Sequence, residues 1–205
     1  MQGWSLSIFL IYGGSMKKYV GNCSSVIDWN KVIDQLHNLQ PQRHGYENPY
    51  ADDLSDHNYH SIDPLHSKSI NTYSDRSEVV EFFTYLNGDH YSHSVNDKFA
   101  DWIGCSVYHS WISRIDPGRC VPPHVDYDDI IQLEKQNVPK DKWVRYHCHI
   151  TPPAIGAAFM MDDGTCYHME EQGAVYQWSD LAAVHSGFNS GHEVKYLFNF
   201  IGIKK

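Results

Sequence analysis

The chain has 205 residues, 41% of them hydrophobic, enough to bury one sizeable core, so a single domain over 1–205 is the default. A formal net charge of −9 disfavours a surface built to coat nucleic acid, since phosphate binding needs clustered Lys and Arg. Five cysteines (Cys23, Cys105, Cys120, Cys148 and Cys166) without a CxxC pair read as reduced thiols of a cytoplasmic protein, not as a disulfide framework.

In chain order, the apolar run Trp4 to Tyr12 comes first. It is too short to span a bilayer, and no basic stretch precedes it, so no membrane anchor is expected. Met16 is an alternative start, with Met1 to Ser15 as an extension. Ser24-Ser25 predict the cap of a helix whose apolar positions are Val26, Trp29, Val32, Ile33 and Leu36, closed by Pro41. Gln42 to Ser74 is polar and without periodicity. It reads as a long loop, either a lid or an irregular surface wrap. Ser77 to Leu86, with Val79, Val80, Phe82, Phe83 and Leu86, has helical spacing and a stop at Asn87-Gly88. A shorter helix is predicted around Phe99, Trp102 and Ile103. Residues 1–104 are thus expected to form a helix and loop buttress, including a possible lid.

From Cys105 the pattern becomes strands and turns. Val107, His109, Trp111, Ser113 and Ile115 alternate with Tyr108, Ser110, Ile112 and Arg114 until Pro117-Gly118 turns the chain. Further strands are predicted over Cys120 to Val125, Trp143 to Thr151, Ile155 to Met161, Cys166 to Met169, Ala174 to Trp178 and Glu193 to Ile203. Tyr127 to Asp141 reads as a short helix and loop over a barrel mouth. Many short strands at this spacing predict a mainly β fold, sandwich or barrel, with its core over 105–203.

Within that half, His124 and Asp126 lie two residues apart, a spacing that on an extended strand aims both side chains at one side. His185 would arrive from another strand. Two imidazoles and one carboxylate on one face of an ion leave the opposite face open, the facial triad of non-haem Fe(II) oxygenases. Taken alone, His124 and Asp126 are also compatible with an ordinary strand-edge pair in a chain with 14 histidines. The flanking residues raise the signal: Arg145 and His147 follow, and Lys195 comes after His185.

The segment Ser113 to His124, with Ile115, Pro117-Gly118, Val121 and Pro123 at fixed offsets, resembles the stretch before the first iron ligand in the aspartyl/asparaginyl β-hydroxylase family of Fe(II)/2-oxoglutarate oxygenases, relatives of proline hydroxylases. Arg145 and His147 look like that family's R-x-H. His185, Asn189 and Lys195 look like its distal ligand and downstream cation. The resemblance covers Cys105 to Ile203. It departs from the family at Asp126, where some members have glycine, and at Lys195, where many carry Arg.

The resemblance implies a double-stranded β-helix core (jelly-roll, cupin-like), with His124, Asp126 and His185 as both metal ligands and catalytic centre. It implies Fe(II), 2-oxoglutarate and O2 as cofactor and cosubstrates. Lys195 and Ser113 would hold the distal carboxylate of the ketoacid, which needs a cation in a dry pocket. Arg145 and His147 would contact its metal-proximal carboxylate; His149 shares their face without a role. The implied reaction is hydroxylation of an unactivated C–H bond of an amino acid, peptide or protein side chain, with succinate and CO2 as coproducts. Asp126 favours hydroxylation over halogenation, which needs that position for halide. Arg119, Tyr127, Asp128 and Trp143 are candidates for the mouth, and equally for an ordinary rim. His57, His60, His66, His90, His93, His168 and His192 are read as surface or loop residues. A cupin-type Zn or Mn hydrolase or isomerase and a non-catalytic ligand-binding cupin remain alternatives.

Overall fold

Strands dominate the residues described by the computed structural model, which are 17–37, 80–86 and 94–205. The expectations for Trp4 to Tyr12, Met16, Pro41, the loop 42–74, the stop at Asn87-Gly88 and His57, His60, His66, His90 and His93 lie outside them. In chain order the elements are β1 (Lys18–Asn22), α1 (Trp29–His37), β2 (Val80–Leu86), α2 (Ser94–Ile103), β3 (Cys105–Ile115), β4 (Arg119–His124) and α3 (Tyr127–Lys135). They continue with β5 (Trp143–His149), β6 (Ala157–Met161), β7 (Cys166–His168), β8 (Ala174–Trp178), β9 (His185–Asn189) and β10 (Lys195–Lys204).

The strands form two antiparallel sheets, a six-stranded one ordered β1-β8-β5-β10-β3-β2 and a four-stranded one ordered β4-β9-β6-β7. From β3 onward the chain passes back and forth between them: β3, β5, β8 and β10 belong to the larger sheet, β4, β6, β7 and β9 to the smaller. The turn that starts this alternation has a local cause. Asp116 accepts from the Arg119 N–H at 3.0 Å across Pro117-Gly118, and Gly118 takes φ 79°. Pro presets the first corner of such a turn, and glycine alone adopts the second at little cost. Pro122 and Pro123 follow inside β4, which they tolerate because β4 is an edge strand of its sheet. Its pairing with β9 is irregular between Val121 and His124, as missing N–H donors require.

β5 is buried along its whole length, with an unusual division of faces. Val144, Tyr146 and Cys148 join the main apolar cluster beneath α1 and α2, with Trp29, Leu36, Phe99, Phe198 and Phe200. Arg145, His147 and His149 alternate with them, and pleating puts these polar side chains on the other face, toward the smaller sheet. Phe99 of α2 anchors the outer cluster, its ring 5.0 Å from those of Phe198 and Phe200 and 5.8 Å from that of Tyr146.

Three predicted elements are corrected. Val80–Leu86 is a strand paired antiparallel with β3, not a helix. Its Val, Phe, Thr and Tyr residues favour a pleated surface, and a run this short fits either period; the open flank of β3 decided it. The cap of α1 is Asp28, whose Oδ1 accepts from the Lys31 N–H at 3.1 Å, while Ser24-Ser25 belong to a short 3-10 turn. Asp126 is not on the strand, because β4 ends at His124. β1 and β9 are strands that the alternation pattern did not single out. All five cysteines are free thiols. Among the described residues no helix is long and apolar enough to cross a membrane.

Phe99→Ala is expected to lower unfolding stability by about 3–5 kcal/mol, the usual cost of emptying a packed aromatic site. Guanidinium titration checks it; a loss under about 1 kcal/mol would mean that α2 is dispensable to the sheet.

Candidate metal centre

His124 ends β4 and His185 begins β9, and the two face each other as register partners in the smaller sheet. Their rings lie 4.2 Å apart. Asp126 follows one residue beyond β4, where its backbone (φ −74°, ψ 60°) leaves the strand to start α3. An Asp there would ordinarily cap the helix, yet its side chain makes no capping bond. It turns inward instead, placing Oδ1 3.8 Å from His124 Nε2 and 3.7 Å from His185 Nε2. One ligand atom from each of the three residues lies within 4.8 Å of the others. The sequence spacing was thus right about proximity, for a reason other than strand geometry.

The donor set fits a divalent transition metal. His185 Nδ1 lies 3.0 Å from the Ala183 carbonyl, which can only accept, so the proton sits on Nδ1 and the Nε2 lone pair is left facing Asp126. That Nε2 is buried without a hydrogen-bond partner among the described residues, as an atom reserved for a metal would be. Burial pushes the imidazole below its ordinary value, against the pull of Asp126, and so favours the neutral form that ligates. For Asp126, burial pushes the carboxyl up, but Arg145, then His185, His124 and His109, together outweigh it and hold it below the usual carboxylate range.

Arg145 is the neighbour that makes this possible. Its Nε lies 2.8 Å from Asp126 Oδ2, and its guanidinium carbon lies 4.5 Å from the Trp111 ring centre and 5.5 Å from that of Trp178. Its Nη2 donates to Asn199 Oδ1 at 3.3 Å, and Asn199 Nδ2 donates to Ser113 Oγ at 2.9 Å. Asp126, Arg145, Asn199 and Ser113 therefore form one buried chain. Asn199 was missed by sequence reasoning, although a lone amide on the face of β10 shared with Lys195 was a readable signal. Arg145 Nη1 is buried and without a hydrogen-bond partner among the described residues.

The remaining predicted residues line the same interior. Lys195 opens β10, 2% exposed; its Nζ donates to the Ala158 carbonyl and, at 3.5 Å, to that of Phe188. Burial brings its ammonium down to about 7. Its hydrogen bonds go to the smaller sheet and that of Ser113 goes to Asn199, so these two predicted partners, on neighbouring strands, are not hydrogen-bonded to each other. His147 packs on Phe159 with ring centres 4.3 Å apart, and beside His149 at 4.9 Å. Asn189 is structural: its Nδ2 donates to Ile115 at 2.9 Å and Glu193 at 2.7 Å, stapling two turns. Trp143 is buried, with Nε1 on the Val138 carbonyl, and is not a mouth residue. His168 and His192 are exposed, as expected of surface residues.

No family profile matches the chain, and no curated protein matches it. Among solved structures it is similar to a viral collagen prolyl hydroxylase from Paramecium Bursaria Chlorella virus-1, in complex with 2-oxoglutarate. That match has 14% identity and a TM-score of 0.53, and covers 93% of this chain and 97% of the viral one. A truncated form of the same enzyme matches over 100% of this chain and 99% of its own, with 16% identity and a TM-score of 0.51. The likeness establishes a shared fold.

Two outcomes follow from the geometry. His185→Ala should abolish binding of one Mn(II) per chain and Asp126→Ala should weaken it, as read by calorimetry; unchanged affinity in both would dismantle the triad. Arg145→Met strands a buried carboxylate and should cost about 3–5 kcal/mol of stability near neutral pH. Because the folded Asp126 carboxyl is held below its unfolded value, its contribution is present above the unfolded value and lost as pH falls through the folded one. The deficit of Arg145→Met should therefore shrink in acid. A deficit independent of pH would disconnect Arg145 from Asp126.

Proposed function

We propose that this protein is an Fe(II)- and 2-oxoglutarate-dependent oxygenase that hydroxylates an unactivated C–H bond. The observation that carries the reading is the buried His124–Asp126–His185 cluster, two imidazole nitrogens and one carboxylate oxygen, set between two sheets whose interior also holds Arg145 and Lys195. We read the strands β3 to β10 as a double-stranded β-helix, with residues upstream of Cys105 as its buttress. The fold shared with a viral prolyl hydroxylase is compatible with this, and Asp126 supplies the full triad.

When bound, Fe(II) together with O2 and 2-oxoglutarate supplies the oxidising chemistry, which releases succinate and CO2. The chain's part is holding, orienting and excluding water. His124, Asp126 and His185 would hold the ion. The Ala183 carbonyl fixes the His185 tautomer, and Arg145, through Asn199 and Ser113, fixes the Asp126 carboxylate. Trp111 and Trp178 close the guanidinium off from water. Arg145 Nη1 and His147 are available to the proximal carboxylate of the ketoacid, and Lys195 to its distal one. Burial brings the Lys195 ammonium down to about 7, so an arriving carboxylate would favour its protonated form.

The substrate class is an Asp, Asn or Pro side chain, free or in a peptide or protein. The motif order points to the aspartyl/asparaginyl β-hydroxylases, and the viral neighbour's name to proline. Succinate formation from 2-oxoglutarate across a panel of such amino acids and peptides, with Fe(II) and O2, tests the reading. Lys195→Met should raise the apparent 2-oxoglutarate constant by an amount equivalent to about 2–5 kcal/mol, and Lys195→Arg should retain most function. Turnover supported by Zn(II) without O2 or ketoacid would favour a metallohydrolase instead.

A further inference from the structure

One buried lysine is not explained by the site as described. Lys17 lies just before β1, the edge strand on β8, and its carbonyl accepts from Tyr167 Oη of β7 at 3.4 Å. The chain thus bridges the edges of the two sheets at this point, and the Lys17 side chain dips inward to 7% exposure. Its Nζ sits 4.1 Å from the ring centres of Phe159 and Tyr167 and 4.3 Å from that of Tyr176. It has no hydrogen-bond partner among the described residues. Three aromatic faces attract an ammonium but bring no counter-charge.

Burial and the charge of Lys195 push the Lys17 ammonium well below its ordinary value, and the half-buried Glu170 pulls the other way. Lys195 Nζ is bonded to the carbonyl of Ala158, the residue before Phe159 on β6, so the two lysines reach adjacent residues of one strand. His147 packs on the Phe159 ring with both nitrogens unpartnered among the described residues, and His149 Nε2 is unpartnered as well. Burial, and after it the charge of Lys17, keeps both imidazoles neutral. The buried carboxylates are engaged elsewhere, Asp126 with Arg145 and Asp129 with His109. Glu170, half-buried, accepts from Tyr176 Oη at the rim of the box. Two lysines and open imidazole nitrogens, all buried between the sheets, make a site that an anion completes.

We propose that Lys17 and Lys195 together clamp the distal carboxylate of the ketoacid, with the Phe159–Tyr167–Tyr176 box holding Lys17 Nζ in place for it. This rests on the oxygenase reading and extends it: the cosubstrate pocket takes its second cation from a segment upstream of the strands that carry the metal triad. Lys17 binds and selects a dicarboxylate; it does not touch the metal.

The test compares wild type, Lys17→Met and Lys17→Arg, each loaded with Mn(II) and titrated by calorimetry. The ligands are 2-oxoglutarate and 2-oxopentanoate, which share the keto acid head and differ in the distal carboxylate. Lys17→Met should weaken 2-oxoglutarate by about tenfold or more, with recovery in Lys17→Arg and unchanged 2-oxopentanoate affinity throughout. Equal 2-oxoglutarate affinity in wild type and Lys17→Met overturns the assignment and leaves the oxygenase reading standing. Equal loss of both ketoacids also overturns it, because Lys17 would then only pack the barrel. Wild type that fails to bind 2-oxoglutarate overturns the oxygenase reading. Succinate is then the second probe: an affinity that falls in Lys17→Met preserves the two-lysine carboxylate site, and one that does not discards it.

Discussion

The ion pair between Asp126 and Arg145, 2.8 Å long and shut away from water, joins the two sheets at the point where the candidate chemistry is concentrated. Asp126 leaves the end of β4 in the smaller sheet, and Arg145 rises from the middle of β5 in the larger one. Such a pair gains little net stability, since desolvating two charges offsets most of their attraction. Its value is positional. Held by Arg145, the carboxylate presents Oδ1 to two imidazoles and does not cap α3, the role its place in the chain would otherwise give it.

Around that pair the larger sheet is built inside out. Its outer face is the apolar one, where Tyr146, Phe198 and Phe200 pack against Phe99 of α2. Its inner face carries Ser113, Arg145, His147, His149, Lys195 and Asn199, all buried. Burying so many polar groups costs stability unless each is satisfied, and several here are left with open donors or lone pairs. The helices compensate by packing the opposite face densely. One face of the sheet packs against the helices, and the other carries the polar groups on which the proposed function draws.

Much of this was legible in the chain, for identifiable reasons. Alternation located β3, β5, β8 and β10 closely because buried strands with one polar face have a strong two-residue period. Pro117-Gly118 marked its turn because proline presets the first corner and Gly118 takes a φ of 79°. The triad was readable because Pro117-Gly118, Arg145 and Lys195 stand in order around His124, Asp126 and His185. Val80–Leu86 was misread because a seven-residue apolar run satisfies both periods, and the choice lay with a distant partner strand. Asn199 was overlooked because its importance comes from bridging Arg145 and Ser113, residues of two other strands. Lys17 carried no local signal at all. Next to Lys18 it reads as a solvated pair, and only the approach of β6, β7 and β8 turns it inward.

The central claim is that His124, Asp126 and His185 hold one Fe(II) with room left for a chelating ketoacid. Anaerobic addition of Fe(II) and then 2-oxoglutarate, followed by visible absorption, tests it most directly. The account predicts one equivalent of iron per chain and a new visible band that appears only when metal and ketoacid are both present. Tight iron binding with no band, or a band that survives His185→Ala, would contradict it.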